Sequence, residues 1–330
     1  MDTARIKRLF VRVVAGIGAT VVLLITAVIV KFYVLSPKSR PAPVMAAPTT
    51  AEAIERGRYL ATHVAACVAC HSEVDESIPG EPIVAGKLGA GRDFGDIGGP
   101  VHIRAGNISS DSATGLGGWT DGEIARAIRE GVSKDGRNLF PQMPYGTYRE
   151  TLSDGEILDI IAYLRTIKPV SNDPGKTSVG FPVSMFVRAA PQPLETPAPP
   201  APSPSDKLAR GKWLLRTGSC FDCHDSVNEK MQKIEGKALA GGMKFPLPND
   251  KGYAIAPNIT SDKATGIGAY SDEDIRRALE EGKGKDGRNL YVMPWSYYKG
   301  MTKEDKDALI AALREAPPVT NIVPSSSVKQ

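Results

Sequence analysis

Two five-residue segments hold the side chains best suited to chemistry in this 330-residue chain: Cys67-Val-Ala-Cys70-His71 and Cys220-Phe-Asp-Cys223-His224. Together they use all four cysteines and two of the four histidines. On a helical turn, two thiols at this spacing reach the two vinyl groups on one edge of a porphyrin, and the imidazole that follows projects to the iron. One such segment would suit a redox dithiol or half a zinc site. A disulfide framework gives no reason for a histidine after each pair, and zinc needs more ligands nearby. The two segments therefore predict two covalently bound haem c groups, with His71 and His224 as axial ligands.

The rest of the chain repeats around these segments. Arg56-Gly57-Arg58-Tyr59-Leu60 precedes the first and Arg210-Gly211-Lys212-Trp213-Leu214 the second. Further on, residues 107–140 (NISSDSATGLGGWTDGEIARAIREGVSKDGRNLF) match 258–291 (NITSDKATGIGAYSDEDIRRALEEGKGKDGRNLY), and Met143-Pro144 matches Met293-Pro294. The order of every element is kept, as in a tandem duplication.

That duplication bears on the second axial ligand. The histidines are His63, His71, His102 and His224, so the first haem has His63 or His102 within reach, while the second half holds no histidine but His224. The iron-binding side chains at equivalent places in both halves are Met143 and Met293, and a thioether is a soft ligand that raises the reduction potential. Met185, Met231, Met243 and Met301 have no such counterpart. Trp119 and Tyr270 also align and suit a haem edge, where a polar ring tip can reach a propionate. Arg137 and Arg288 read as surface or propionate-side charges.

The elements that must position these residues are helical. Thr120-Asp-Gly-Glu123 and Ser153-Asp-Gly-Glu156 are capping boxes, and Ile157, Ile160, Ile161, Leu164 and Ile167 recur at helical spacing. The copy has Ser271 to Asp274 and Thr302 to Asp305, then Leu309, Ile310 and Leu313 on one face. No stretch alternates as a strand does. Each half is predicted to run helix, Cys pair, Gly-rich loop, short helix, Met-Pro turn and closing helix. Residues 191–204 carry seven prolines and read as an extended linker, on the order of 3.1 Å per residue. Val179–Val187 reads as a strap on the first half.

Ahead of both halves, residues 13–30 (VVAGIGATVVLLITAVIV) carry no charge, and Arg5, Lys7, Arg8 and Arg12 precede them. A run of about 20 apolar residues crosses a bilayer core. The flanking charge places the amino terminus in the cytoplasm and everything after residue 36 outside. A cleaved signal peptide would have a shorter apolar core and small residues close behind it; here Lys31, Lys38 and Arg40 follow. The net charge is +4, with 12 basic and 17 acidic residues in 51–170 against 20 and 17 in 206–330. No basic surface asks for nucleic acid. The charge difference predicts different redox partners among a dehydrogenase, an oxidase or a soluble cytochrome: the second half, reaching farther on its linker, meets an acidic partner, and the first half a membrane complex or a basic carrier.

The attachment segments and the aligned methionines resemble class I c-type cytochrome domains. More narrowly, Asn258-Ile-Thr-Ser-Asp with Thr265-Gly-Ile-Gly, and Asp135-Gly-Arg with Met143-Pro-Tyr, resemble the cytochrome subunits of periplasmic alcohol and sugar-acid dehydrogenase complexes. The resemblance covers about residues 50–320. It implies thioether links at Cys67, Cys70, Cys220 and Cys223, and axial roles for His71, Met143, His224 and Met293. It also implies that the first and last helices of each domain cross through a glycine packed on an aromatic ring: Gly57 against Tyr163, and Gly211 with Trp213 filling the space beside Ala312. Those subunits typically carry three haem domains and no such anchor, whereas this chain has two attachment segments behind an apolar run.

The expectation is an all-α protein of two tandem class I domains after one transmembrane helix. Residues 1–36 are the anchor, 37–50 a linker, 51–190 the first domain with its strap, 191–205 the Pro-rich linker, 206–320 the second domain and 321–330 a tail. The expected role is electron transfer on the periplasmic side of the cytoplasmic membrane, between a donor such as a dehydrogenase and the respiratory chain. A dihaem enzyme (a peroxidase or a sulfur-compound dehydrogenase) and a terminal-oxidase subunit are the alternatives; no clear acid–base constellation supports the enzyme.

Overall fold

A computed structural model describes residues 3–229, 231–247 and 252–328. The extreme ends of the expected anchor and tail, 1–2 and 329–330, lie outside the described residues. The chain opens with α1 (Thr3–Ile29), which continues through a wider π turn to Val34. No residue of α1 is buried, and it is the one described helix long and apolar enough to cross a membrane.

The first half follows as α2 (Ala51–Tyr59), α3 (Cys67–Cys70), β1 (Arg92–Asp96), β2 (Val101–Ala105), α4 (Asp121–Glu130), α5 (Tyr145–Thr151), α6 (Asp154–Leu164), β3 (Ser178–Val179) and α7 (Val183–Ala189). The second repeats the order from α2 to β3 among the described residues. It runs α8 (Lys207–Thr217), α9 (Cys220–His224), β4 (Lys244–Pro246), β5 (Gly252–Ile255), α10 (Asp272–Glu281), α11 (Trp295–Tyr298), α12 (Lys303–Arg314) and β6 (Ser327–Val328). Capping boxes start α4, α6 and α10, each with a side chain bonded to the N3 amide and an N3 carboxylate bonded back. In α12, Thr302 accepts from the Asp305 amide.

Two small antiparallel sheets depart from the all-α expectation: β1-β2-β3 and β4-β5-β6. Strands of two to five residues, with a bulge between Asp93 and Gly95, are too short and irregular to show a period of two. Their third strands come from the chain after each closing helix, so β3 and β6 tie that chain back to the Gly-rich loop of its own half.

The first and last helices of each half cross at the expected glycines. A Cβ on Gly57 would lie 1.7 Å from the Asp159 carbonyl oxygen, and one on Gly211 1.9 Å from that of Ala308. The atoms nearest that Cβ at Gly57 are helix backbone, those of Asp159 and Ile160. Trp213 leaves its own half: its indole N–H donates to the Thr151 carbonyl of the first half at 2.7 Å. Tyr59, its counterpart, reaches the opposite way to Asp305 Oδ2 at 2.6 Å.

These exchanged aromatics join the two halves in one continuous apolar core that includes Tyr148, Trp213, Tyr297 and Tyr298. His63 Nδ1 bonds the Tyr297 carbonyl at 2.9 Å, and the Tyr297 hydroxyl donates to the Glu81 carbonyl. The Pro-rich linker is laid down rather than swinging. Leu194 is buried, and the Ala201 amide donates to Glu156 Oε1 at 2.7 Å. Residues 37–50 are likewise fastened: Arg40 pairs with buried Glu130, and the Ala47 amide donates to Asp121.

Candidate haem sites

Each attachment helix starts from a strained residue. Ala66 (φ 48°) and Ser219 (φ 57°) occupy the left-handed region just before Cys67 and Cys220. Non-glycine residues pay roughly 1–3 kcal/mol there, and such strain gathers at functional turns. A buried tyrosine pins each turn. The Tyr148 hydroxyl donates to the Ala65 carbonyl at 3.1 Å, and Tyr298 to the Gly218 carbonyl at 2.7 Å. Both tyrosines lie five residues past the aligned methionines, and burial holds their hydroxyls protonated, pushing their pKa well up. Neither was singled out in the sequence; their shared offset with Met143 and Met293 was the available signal.

The histidines are held by the loop that follows. His71 Nδ1 donates to the Gly106 carbonyl at 2.7 Å, and His224 Nδ1 to the Pro257 carbonyl at 2.9 Å. Those carbonyls immediately precede Asn107 and Asn258, which begin the repeated Asn-Ile-Ser/Thr-Ser-Asp phrase. Asn107 Nδ2 bonds Thr114 Oγ1 and the carbonyls of Val170 and Asn172; Asn258 Nδ2 bonds Thr265 Oγ1 and the Val319 carbonyl. The phrase is therefore a brace for the histidine's acceptor. With Nδ1 committed, Nε2 is the free ring nitrogen, the arrangement typical of a metal-bound imidazole. Burial lowers the pKa of both rings and favours the neutral form.

In the second half a cavity of about 580 Å³ is lined by Cys220, Cys223, His224 and Met293 among apolar walls that include Leu215, Ile267 and Leu313. Tyr270 and Arg288 also line it. Burial pushes the Cys220 thiol up to about 12 and Cys223 to about 11, so both are protonated. In the first half burial pushes the Cys67 thiol up to about 12 and raises the Cys70 thiol as well. Met143 and Trp119 are half-buried against the core. Arg137 pairs loosely with Asp135 at 4.0 Å. His102, on β2, has both ring nitrogens bonded, Nδ1 to Asp96 and Nε2 to Asp93. Among the described residues, no three His, Cys, Asp or Glu side chains gather as a site for a bare metal ion. A cavity of this size and apolar lining, with two thiols, one oriented imidazole and one thioether at its wall, fits a haem.

Arg165 and Arg314 fasten the closing helices to the loops. Arg165 donates to the carbonyls of Leu116 and Trp119 and to Asp121; Arg314 does the same to Ile267, Tyr270 and Asp272. Each fork thereby fixes the loop carrying Trp119 or Tyr270.

Residues 54–168 match the family model for cytochrome c. The chain is 32% identical over 243 residues to the alcohol dehydrogenase (quinone) cytochrome c subunit of Gluconobacter oxydans (strain 621H), covering 70% of this chain and 47% of that one. It is 29% identical over 284 residues to the fructose dehydrogenase cytochrome subunit of Gluconobacter japonicus, covering 82% and 54%. It is 27% identical over 260 residues to a diheme cytochrome c-type protein of Cereibacter sphaeroides, covering 77% and 82%. The chain thus spans about half the length of the dehydrogenase subunits it resembles. With the attachment turns, the braced histidines and these relationships in place, residues 54–168 form a cytochrome c family domain, a family that implies covalently bound haem c.

Proposed function

We propose that this chain is a membrane-anchored dihaem cytochrome c that transfers electrons between a redox donor, such as a dehydrogenase, and the respiratory chain. Its two halves, 51–190 and 206–320, are tandem class I domains held on the periplasmic side of the cytoplasmic membrane by residues 1–36. The observation that carries this reading is that one braced site is built twice: a pinned Cys-x-x-Cys turn and a histidine fixed through Nδ1, with a Met-Pro turn at the same place in each half.

When bound, haem c supplies a one-electron carrier. The chain's residues do the rest. Cys67, Cys70, Cys220 and Cys223 would hold it by thioethers; His71 and His224 would present neutral Nε2, and Met143 and Met293 would offer sulfur. With a histidine and a methionine committed at each site, the residues favour electron carriage over turnover of a substrate. The halves also share one apolar core, and Cys67 and Cys220 both pack against it. That supports electron passage between the two sites through the shared interior. That the related subunits belong to alcohol and fructose dehydrogenases supports a dehydrogenase as donor.

The test is gentle solubilisation of the full chain from its membrane. The expected result is one membrane-bound band that stains for haem, a mass increase of two haems, retained peptides from residues 1–40, and a co-purifying oxidoreductase. A single haem would overturn the paired sites, and a mature start near Ala47 would overturn the anchor.

A further inference from the structure

The segment 181–188 has two faces. Val187 is buried, while Phe181 is 73% and Phe186 67% exposed. Two large exposed aromatics on one short segment ask for a covering surface. The helix α7 that carries Phe186 does not lie at random on the first half; it is clasped to the end of α1. Arg188 Nε donates to the Phe32 carbonyl at 3.1 Å, and its Nη2 to the Ser36 carbonyl at 3.2 Å. An arginine there meets carbonyls left open at a helix carboxyl end, where its positive charge is also favoured. The Arg188 guanidinium stacks on the Tyr33 ring, and Phe186 meets Phe32 edge-on at 6.3 Å.

Phe32 and Tyr33 close the apolar run, so Phe186 continues the exposed apolar surface of α1 sideways at the level where that run ends. Lys31 and Arg188 stand beside it, matching anionic headgroups. We propose that α7, with Phe181 and Phe186, lies in the outer interface of the lipid bilayer as a second membrane contact. Resting on the reading of α1 as an anchor, it tilts no freely hinged tether but seats the first half directly against the lipid surface. Aromatic rings at this depth are favoured because one face is apolar and the surroundings are partly wet.

The test places the photo-crosslinker p-benzoylphenylalanine at Leu24, Phe186 or Ile322 of the full-length holoprotein in vesicles of phosphatidylethanolamine and phosphatidylglycerol. All three positions are exposed, and the replacement at 186 keeps an aromatic ring beside Phe32. Mass spectrometry then reads covalent lipid adducts. The expected result is lipid adducts at positions 24 and 186, with at least a tenfold lower yield at 322 in the second half. Adducts at 24 but not 186, crosslinks from 186 to a second copy of the chain, or equal lipid yields at 186 and 322 would overturn the interfacial seat while leaving the anchor intact. An absence of lipid adducts at 24 would overturn the anchor and this inference with it.

Discussion

At the residue scale, the chemistry depends on a few side chains held by partners that carry no chemistry themselves. Tyr148 and Tyr298 bond the carbonyl one residue before the strained Ala66 and Ser219. Replacing either tyrosine by phenylalanine leaves a buried carbonyl short of its donor, which costs about 1–2 kcal/mol. Urea unfolding of Tyr148→Phe and Tyr298→Phe holoproteins checks this, and an unchanged midpoint in both would show the turns hold without the pin. The methionines call for spectroscopy. Met143→Ala and Met293→Ala should each remove about half of the thioether–iron charge-transfer absorbance and lower one of two reduction potentials. Covalent attachment should survive, because it needs only the cysteines and the proximal histidine. A double variant that kept the full band would assign the ligands elsewhere.

At the element scale, the crossing of α2 with α6 and of α8 with α12 sets where each attachment turn can sit. The crossing is tight enough that helix backbone occupies the space of a side chain at Gly57. Gly57→Ala should destabilise the folded protein by on the order of 3 kcal/mol, since the obstructing atom is a main-chain oxygen that cannot rotate away. Gly16→Ala in α1, which meets nothing within 4 Å, should be neutral. Comparing the two by thermal unfolding separates a packing requirement from general glycine effects; equal behaviour would refute the crossing. The Arg165 and Arg314 forks serve the same end from the other side, joining the end of each closing helix to the loop before α4 or α10.

At the scale of the whole molecule, the halves act as one body. Arg210 makes a bidentate pair with Asp305 at 2.8 Å, and Tyr59 of the other half shares that carboxylate. His63 sits in the same interface, facing Arg58 and Glu55 on α2, Lys306 on α12 and the Tyr297 carbonyl. Burial lowers its pKa from the ordinary 6.5. The unfolded chain therefore takes up the proton first, so His63 contributes its full stability above about pH 6.5 and loses it as pH falls toward its depressed folded value. Wild type should lose stability between pH 7 and 5 more steeply than His63→Gln, as read by urea midpoints at each pH; parallel curves would free His63 from this role. The opposite charge balance of the halves still gives each face its own electrostatic character, but the shared core keeps the second half from swinging outward on its linker.

Much of the site was legible without a fold because the chain states it twice. The Cys-x-x-Cys-His spacing is local chemistry, and duplication singled out Met143 and Met293 from eight methionines. Capping boxes and helical periodicity marked the helices, since both are set within a few residues. The small sheets were not legible, because their strands are too short to carry a period and pair with chain up to 78 residues away. The braces on the histidines escaped notice for a related reason: Asn107 and Asn258 act through main-chain carbonyls, which leave no mark on residue identity. The docking of the halves lay wholly outside the sequence pattern. Trp213 looked like filler for its own helix crossing, and the Pro-rich stretch looked free. Only the tertiary structure decided that the indole would bury itself against Thr151 of the other half, because the gain from covering Trp213, Tyr297 and Tyr148 depends on surfaces that exist only once both halves have folded.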